Sequence, residues 1–317
     1  MANTAWTKLD LFPLALGGNV FGWTADEAQS FAVLDAYAAA GGNHLDTADS
    51  YSAWVPGHDG GESETIVGNW MRARGNRDEI LVATKVGRLA RLTAANIARA
   101  ADASLRRLQS DRIDLYYAHH DDPDVPLEEQ LEAFDALVRA GKVRAVAASN
   151  YSAERLAEAL AISEREGFAP FVALQPYYNL LERAKSDGGD LPYEGALQRL
   201  AVERGIAVFP FYSLAMGFLA GKYRPGRQVD SVRAGGAGAY LETARGRAVL
   251  DALDAIAAAH ATTVAAVALA WTLAQPGIAA PIASARTPQQ LAELLPVASL
   301  RLADDELAAL TAASEAA

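Results

Sequence analysis

Four polar residues occur at or just after short apolar runs and together have the chemistry of a proton-donor site: Asp46, Tyr51, Lys85 and His119. A lysine that ends a buried strand needs a carboxylate partner, and Asp46 ends the neighbouring strand-like run. A cation beside a tyrosine hydroxyl favours the phenolate, so we expect Lys85 to lower the pKa of Tyr51 and make it a usable general acid. We expect His119 to donate a hydrogen bond to an incoming carbonyl oxygen. The set predicts an oxyanion and proton-donor site without a nucleophile.

Each of these residues also has a purely structural explanation. A buried Lys–Asp pair can serve stability alone, and a single Tyr in a loop or His after a strand is more often packed or exposed than catalytic. Asp49 lies in the same polar stretch, DTADSY. We predict that it is a local turn or helix-capping group, because Asp readily bonds nearby backbone.

The elements that must position these side chains are short apolar runs that alternate with longer amphipathic ones. The strand-like runs are 14–18, 43–48, 80–86, 113–119, 143–149, 171–178, 206–212 and 278–284. Helical spacing is typical of 93–109, 127–141 and 152–167, and a final surface helix is expected at the tail, opened by Asp304 and Asp305. Eight βα units in 317 residues favour an α/β fold with one closed (β/α)8 TIM barrel, a single domain over residues 1–317. Such a barrel builds its active site where the strands end, which is where the polar residues collect.

Composition excludes several classes of function. The net charge is −11 and no block of Lys or Arg occurs, so we expect no nucleic-acid partner. The chain has no Cys, which removes disulfides and Cys-ligated metals, and we predict no metal site. Neither a signal peptide nor a run of 18 apolar residues is found, so we expect a cytoplasmic protein with no membrane partner.

Seven ordered motifs resemble the aldo-keto reductase superfamily over about Gly17 to Leu294: HLDTADSY, VATKVG, IDLYYAHHDDP, GKVRAVAASNYS, ALQPYYNLL, FYSLAMGFLAGKYR and ASARTPQQL. The resemblance implies a (β/α)8 barrel that transfers hydride between NADPH and the carbonyl of a small molecule. By motif, the catalytic tetrad of the family falls on Asp46, Tyr51, Lys85 and His119.

The resemblance also implies where NADP(H) binds. Ser149, Asn150 and Gln175 match residues that bind the nicotinamide amide, and Phe211 matches the aromatic residue that stacks on the ring. The pyrophosphate would pass YSLAMG toward Lys222, while Ser284 and Arg286 match residues that grip the 2′-phosphate, which predicts NADPH over NADH. Leu294 departs from the frequent Asn of the family and leaves one adenine contact in doubt. The full implied set is Gly18, Asn19, Val20, Asp46, Ser149, Asn150, Gln175, Phe211, Tyr212, Ser213, Leu214, Gly217, Lys222, Ser284, Arg286 and Gln290.

The substrate is expected to meet walls formed by Phe21, Trp23, Trp54 and His120, in an open pocket of broad tolerance. The stretch 54–63 is predicted to be a movable flap and 231–240 a mobile lid, while the aromatic residues could instead fill space at the barrel rim. We expect a monomer or weak homo-oligomer. Two other functions stay open: a regulatory subunit that binds cofactor with little turnover, and a Schiff-base aldolase that uses Lys85.

Overall fold

Strands and helices alternate along the chain in the computed structural model, which describes residues 10–183, 191–230 and 232–315. The strands are β1 (Ala15–Gly17), β2 (His44–Asp46), β3 (Leu81–Val86), β4 (Ile113–Ala118), β5 (Val143–Ser149), β6 (Phe171–Gln175), β7 (Ala207–Val208) and β8 (Ile282–Ala283). The helices are α1 (Glu27–Ala39), α2 (Glu62–Arg74), α3 (Ala94–Leu108), α4 (Leu127–Arg139), α5 (Ala153–Glu166), α6 (Ala196–Arg204), α7 (Ala234–Gly238), α8 (Ala244–Ala259), α9 (Val264–Leu273), α10 (Pro288–Leu294) and α11 (Asp304–Ser314). Short 3₁₀ helices span Arg77–Glu79, Ala215–Ala220, Ala239–Glu242 and Leu295–Ala298.

All the strands form one curled parallel sheet in the order β7-β6-β5-β4-β3-β2-β1-β8. The alternation of strands and helices is therefore confirmed, and β5 has the predicted bounds. β7 and β8 are two residues long because Pro210 and Pro281 lie in these runs and proline has no N–H for a ladder. Backbone hydrogen bonds link the segments that contain β7 and β8, the strands at the two ends of the sheet order. Ala279 N donates to Val208 O at 2.8 Å, and Ile282 N donates to Pro210 O at 2.9 Å.

The two faces of the sheet carry different residues because side chains alternate along a strand. One face carries a cluster of mostly small or aromatic buried residues, including Ala83 and Tyr117, and the other packs on the helices. Lys85 is two residues beyond Ala83, so it lies on the same face as this cluster. Register pairs Asp46 with Ala83 and Lys85 with Tyr117. The polar residues thus sit at one end of the inner face.

The helices start where short polar side chains cap them. Thr93, Ser152 and Thr287 accept hydrogen bonds from backbone N–H groups in the first turns of α3, α5 and α10, and Pro288 occupies the start of α10. α11 begins at Asp304 as predicted. Ser231 of the predicted lid and the last two residues of the predicted final helix lie outside the described residues. Among the described residues no single helix is long and apolar enough to span a membrane. α8 and α9 together have the necessary length and composition, but they are bent by 100° relative to each other.

Candidate active site

The Lys85 ammonium is the centre of a buried polar cluster. Its Nζ lies 2.8 Å from each Asp46 carboxylate oxygen, 2.7 Å from the Thr47 carbonyl oxygen and 3.0 Å from the Tyr51 hydroxyl. Lys85 has no exposed surface and Asp46 is only 2% exposed. Burial lowers the pKa of Lys85, and the Asp46 carboxylate opposes that shift. The ammonium thus contacts the two Asp46 carboxylate oxygens, the Thr47 carbonyl oxygen and the Tyr51 hydroxyl.

The side chain of Tyr51 lies between the Lys85–Asp46 ion pair and the cavities of the site. It donates to Asp46 Oδ2 at 3.2 Å, and the Lys85 ammonium lies 4.7 Å from the centre of the Tyr51 ring. Tyr51 is only partly buried and lines both cavities described below. A hydroxyl that touches a buried ammonium on one side and a cavity on the other can pass a proton outward, and the ammonium stabilises the phenolate left behind.

His119 stands beside Tyr51 at the end of β4. The two ring centroids are 6.2 Å apart, and the His119 backbone N–H donates to the Val86 carbonyl oxygen at 2.8 Å. Burial holds the pKa of His119 well below its usual range, and the positive charge of Lys85 acts in the same direction. The imidazole is therefore neutral and keeps one N–H for a hydrogen bond.

The smaller cavity, of about 330 Å³, is lined by Asn19, Tyr51, Trp54, Arg88, His119, Ser149, Asn150, Gln175, Tyr177, Phe211 and Tyr212. Its floor is a fixed amide network: Gln175 Nε2 donates to Asp46 Oδ1 at 2.8 Å, and Ser149 Oγ donates to the Gln175 carbonyl oxygen at 2.8 Å. Asn150 has the left-handed φ of 57°, and its buried Oδ1 has no hydrogen-bond partner among the described residues. This orphaned acceptor fits a ligand that brings an amide N–H.

The larger cavity, of about 370 Å³, adjoins the smaller one at Tyr51 and Phe211. It is lined by Gly17, Asn19, Val20, Trp23, Thr24, Asp46, Tyr51, Phe211, Tyr212, Ser213, Leu214, Met216, Gly217, Lys222, Val232, Arg233, Ile282, Ala283, Ser284, Arg286 and Gln290. Three cations share it, and burial, followed by Arg286 and Arg233, lowers the pKa of Lys222. A cavity that gathers three cations in a protein of net charge −11 fits an anionic ligand.

The backbone along the larger cavity has an unusual conformation. Positive φ angles occur at Tyr212, Ala215, Met216 and Gly217, and a side chain at Gly217 would stand 3.2 Å from Lys222 Nζ. The Ala215 and Gly217 N–H groups donate to the Tyr212 and Leu214 carbonyl oxygens, so these residues form tight turns beside the cavity. Across the cavity, Ser284 Oγ donates to Asn19 Oδ1 at 2.5 Å.

Most of the site residues predicted from sequence line one of the two cavities. The exceptions are Gly18, Phe21, Lys85 and His120. The prediction that Phe21 forms part of a substrate wall is wrong, because Phe21 is fully buried in the hydrophobic core. Gly18 lies against β2, with its N–H donating to the Asp46 carbonyl oxygen at 2.7 Å. His120 stacks on His119 with ring centroids 5.2 Å apart. Trp23 packs edge-on against Trp54 at 5.4 Å, so these two predicted walls form one surface.

The side chain of Asp49 is buried and does not cap α2. The N-cap of α2 is Gly61, with no side-chain capping bond, and Asp49 Oδ1 is buried without a partner among the described residues. Its own N–H donates to the Lys85 carbonyl oxygen at 3.2 Å. Burial, with the nearby Glu64 carboxylate, raises the pKa of Asp49 to about 7. The helix-capping part of the prediction is wrong, because Asp49 is not the N-cap of α2, whereas Asp49 does lie in a turn.

Sequence reasoning missed several residues of the cavity walls, among them Arg88, Tyr177 and Arg233. Arg233 lies with its guanidinium carbon 5.2 Å from the Trp23 ring centre, and Tyr177 stacks on Tyr212 at 4.4 Å. Arg88 follows Lys85 by three residues, so a signal existed: it lies in the loop after a strand that carries a predicted catalytic residue. The other two come from long connections whose path no local pattern predicts.

The sequence is similar to known proteins over nearly its whole length. The model of the aldo/keto reductase family matches residues 13–315. The aldo-keto reductase YhdN of Bacillus subtilis is 33% identical, with 91% of this chain and 84% of that protein covered. The uncharacterized oxidoreductase YrpG of the same organism is 32% identical, covering 93% and 90%. Norsolorinic acid reductase B of Aspergillus parasiticus is 30% identical, covering 96% of this chain and 81% of that protein.

Proposed function

The chain belongs to the aldo/keto reductase family, and from that membership we propose that it is an NADPH-dependent enzyme that reduces aldehyde or ketone carbonyls to alcohols. Enzymes of this family carry out nicotinamide-dependent carbonyl reduction. The observation that carries the proposal is the Tyr51 hydroxyl, held 3.0 Å from a buried ammonium and open to both cavities.

Tyr51 is the proposed proton donor to the carbonyl oxygen. Negative charge develops on that oxygen as the carbonyl carbon is reduced, and neutral His119 donates its N–H to the oxygen. Tyr51 then transfers its proton, and the phenolate is stabilised by Lys85. Asp46 supplies the counter-charge that keeps the ammonium in a buried position. Reduced NADP, when bound, supplies the hydride.

The proposed cofactor site runs from the smaller into the larger cavity. The orphaned Asn150 Oδ1 suits the carboxamide of a nicotinamide, and Phe211, which borders both cavities, offers the aromatic face for its ring. Lys222, and the backbone at Gly217, which carries no side chain and lies beside Lys222, suit a diphosphate. Arg286, with Ser284 nearby, suits the 2′-phosphate, which is the basis for proposing NADPH over NADH.

We also propose that the curled sheet closes into a complete barrel through β7 and β8. The hydrogen bonds from Ala279 to Val208 and from Ile282 to Pro210 support closure, although prolines shorten the ladder. The single domain over residues 1–317, the cytoplasmic location and the monomeric or weakly oligomeric state stay predictions.

The alternative functions make different demands on the site. A Schiff-base aldolase needs a neutral lysine that substrate can reach, but Lys85 has no exposed surface and is bound to Asp46. A regulatory subunit that binds cofactor with little turnover needs no proton donor, so it does not account for the placement of Tyr51.

The test compares the wild type with Tyr51→Phe, using NADPH or NADH and a neutral aromatic aldehyde, by loss of reduced-nicotinamide absorbance. We expect rapid wild-type turnover, faster with NADPH, and a loss in the variant of about 10²-fold or more. Tyr151→Phe is the matched control, because that hydroxyl is buried, has no hydrogen-bond partner among the described residues and lines neither cavity. Equal rates for wild type and Tyr51→Phe would refute the proton-donor role. Tight NADPH binding without turnover would support the regulatory alternative.

A further inference from the structure

Exposed apolar side chains gather around the two cavities. Among the described residues, four large apolar side chains are at least half exposed: Trp54 at 50%, Leu89 at 53%, Val202 at 51% and Val232 at 70%. Trp54 lines the smaller cavity and Val232 the larger, and Leu89 directly follows Arg88, which lines the smaller one. Apolar surface that gathers beside a cavity marks contact with the apolar part of a ligand, whereas a single exposed residue such as Val202 is ordinary.

Trp54 is held at the mouth of the smaller cavity by two other aromatic rings. Its ring packs edge-on against Trp23 with centroids 5.4 Å apart, and it lies 6.2 Å from the Tyr51 ring. Half of the Trp54 surface nevertheless stays exposed. A molecule whose carbonyl reaches the Tyr51 hydroxyl therefore has exposed indole surface beside it, on which an apolar group can rest.

Leu89 packs on the segment that carries Trp54. Gly60, with a φ of 95°, has no side chain, and one placed there would meet Leu89 Cδ1 at 3.3 Å and Ala53 Cβ at 3.4 Å. Leu89 and Ala53 thus flank the same point, and Ala53 directly precedes Trp54 in the chain. The loop after β3 and the segment 53–60 therefore each contribute one exposed apolar side chain to this side of the site.

The smaller cavity changes in polarity from floor to mouth. Its floor carries the Gln175 amide, which is bound to Asp46, and the Asn150 amide, whereas Trp54 at its mouth is aromatic and half exposed. Polar groups of a ligand are favoured where hydrogen-bonding groups are fixed, and apolar groups are favoured where they cover exposed apolar surface. This gradient selects for a molecule with a polar reacting end and an apolar remainder.

We infer that the preferred substrates of this enzyme are carbonyl compounds with an extended apolar group, such as medium-chain aldehydes, and that Trp54 and Leu89 bind this group at the mouth of the smaller cavity. The inference rests on the proposed carbonyl reductase function and narrows its substrate class by size and polarity. Burying a methylene completely favours binding about 4-fold, and contact on one side gives about half of that free energy, or roughly 2-fold for each methylene.

The experiment follows the reduction of n-butanal and n-octanal with NADPH, by loss of reduced-nicotinamide absorbance. The measured quantity is the ratio of kcat/KM for octanal to kcat/KM for butanal, since the reacting group is the same in both. The additional methylenes of octanal, lying on exposed apolar surface, should make this ratio roughly 10 to 20 in the wild type. A wild-type ratio near one overturns the inference, while reduction of butanal still supports the proposed function.

Trp54→Ala and Leu89→Ser test where the apolar group lies. Each should lower the octanal-to-butanal ratio by roughly 3-fold or more, because each removes apolar surface that only the longer chain reaches. Trp54→Leu and Leu89→Ile keep the surface apolar and should retain most of the ratio, which separates loss of contact from general damage to the fold. A wild-type ratio retained in both Trp54→Ala and Leu89→Ser overturns the inference.

Val202→Ser is the matched control for Leu89→Ser. Val202 is about as exposed as Leu89, but it lies on α6 and lines neither cavity. The control should leave the octanal-to-butanal ratio at its wild-type value. A fall as large as that in Leu89→Ser would show that the effect does not come from contact at the cavity mouth, and it would overturn the inference.

A binding measurement keeps the two proposals separate. By titration calorimetry with NADP present, wild type should bind octanamide roughly 10-fold more tightly than butanamide, and Leu89→Ser should reduce that difference. If neither aldehyde is reduced, the proposed function fails, and the calorimetry still decides whether Trp54 and Leu89 bind an apolar chain. Equal affinities for the two amides in wild type overturn the inference.

Discussion

Removing either member of the Lys85–Asp46 pair should cost stability that removing both partly restores. In Lys85→Met the Asp46 carboxylate keeps Gln175 and Tyr51 as donors but loses its counter-charge, and in Asp46→Asn the ammonium loses its carboxylate. Breaking a buried pair by removing one partner costs about 3–5 kcal/mol, because an uncompensated charge stays buried. The double variant buries no such charge.

The size of the effect follows from burial and chain length. Unfolding entropy of about 2.1 cal/mol/K per residue gives about 0.7 kcal/mol/K for 317 residues, so each single variant should lower Tm by about 5–8 °C. Independent effects would add to about 10–15 °C, whereas we expect the double variant to lose no more than the worse single variant. Activity should not return, because Tyr51 still lacks the ammonium.

The assay is thermal unfolding of the four proteins with kcat/KM measured on the same samples. The exposed pair of Lys142 and Asp102, 2.6 Å apart, is the control, and Lys142→Met should lower Tm by less than about 2 °C. Additive losses of Tm, or recovery of activity in the double variant, would show that the pair is not coupled as the structure implies.

Three further predictions address cofactor choice, pH and packing. Arg286→Leu should raise KM for NADPH by about 10- to 100-fold and leave KM for NADH nearly unchanged, since a charge-assisted bond is lost only with the 2′-phosphate; equal effects on both would contradict the assignment. Asp49 has its pKa raised to about 7, so the folded protein holds a proton that the unfolded chain releases, and stability falls as pH rises from about 4 to 7. Asp49→Asn should therefore raise Tm relative to wild type at pH 8 but not at pH 4; the same difference at both would refute this. Gly68→Ala should lower stability by about 1–3 kcal/mol, despite the better helix propensity of Ala, because its Cβ would stand 2.2 Å from the Arg107 carbonyl oxygen; a higher denaturant midpoint would contradict it.

The sequence by itself determined the order of elements and the ends of strands where chemistry collects. Alternating apolar runs and helical stretches predict parallel strands, and that prediction is confirmed by the sheet order. Asp46, Lys85 and His119 could be placed at one edge because parallel strands share a direction. The pairing of Lys85 with Asp46 also followed, since a buried ammonium requires a carboxylate.

Only the tertiary structure decided what surrounds those groups. Gln175 reaches Asp46 across 129 residues of sequence, and the wall that holds Arg233 over Trp23 depends on the path of a long connection. Phe21 and Asp49 were misjudged because their burial is set by packing from distant segments, not by their neighbours in the chain. Local spacing fixes which way a side chain points from its own element, whereas cavities, orphaned acceptors and charge clusters arise from elements far apart in sequence that packing brings together.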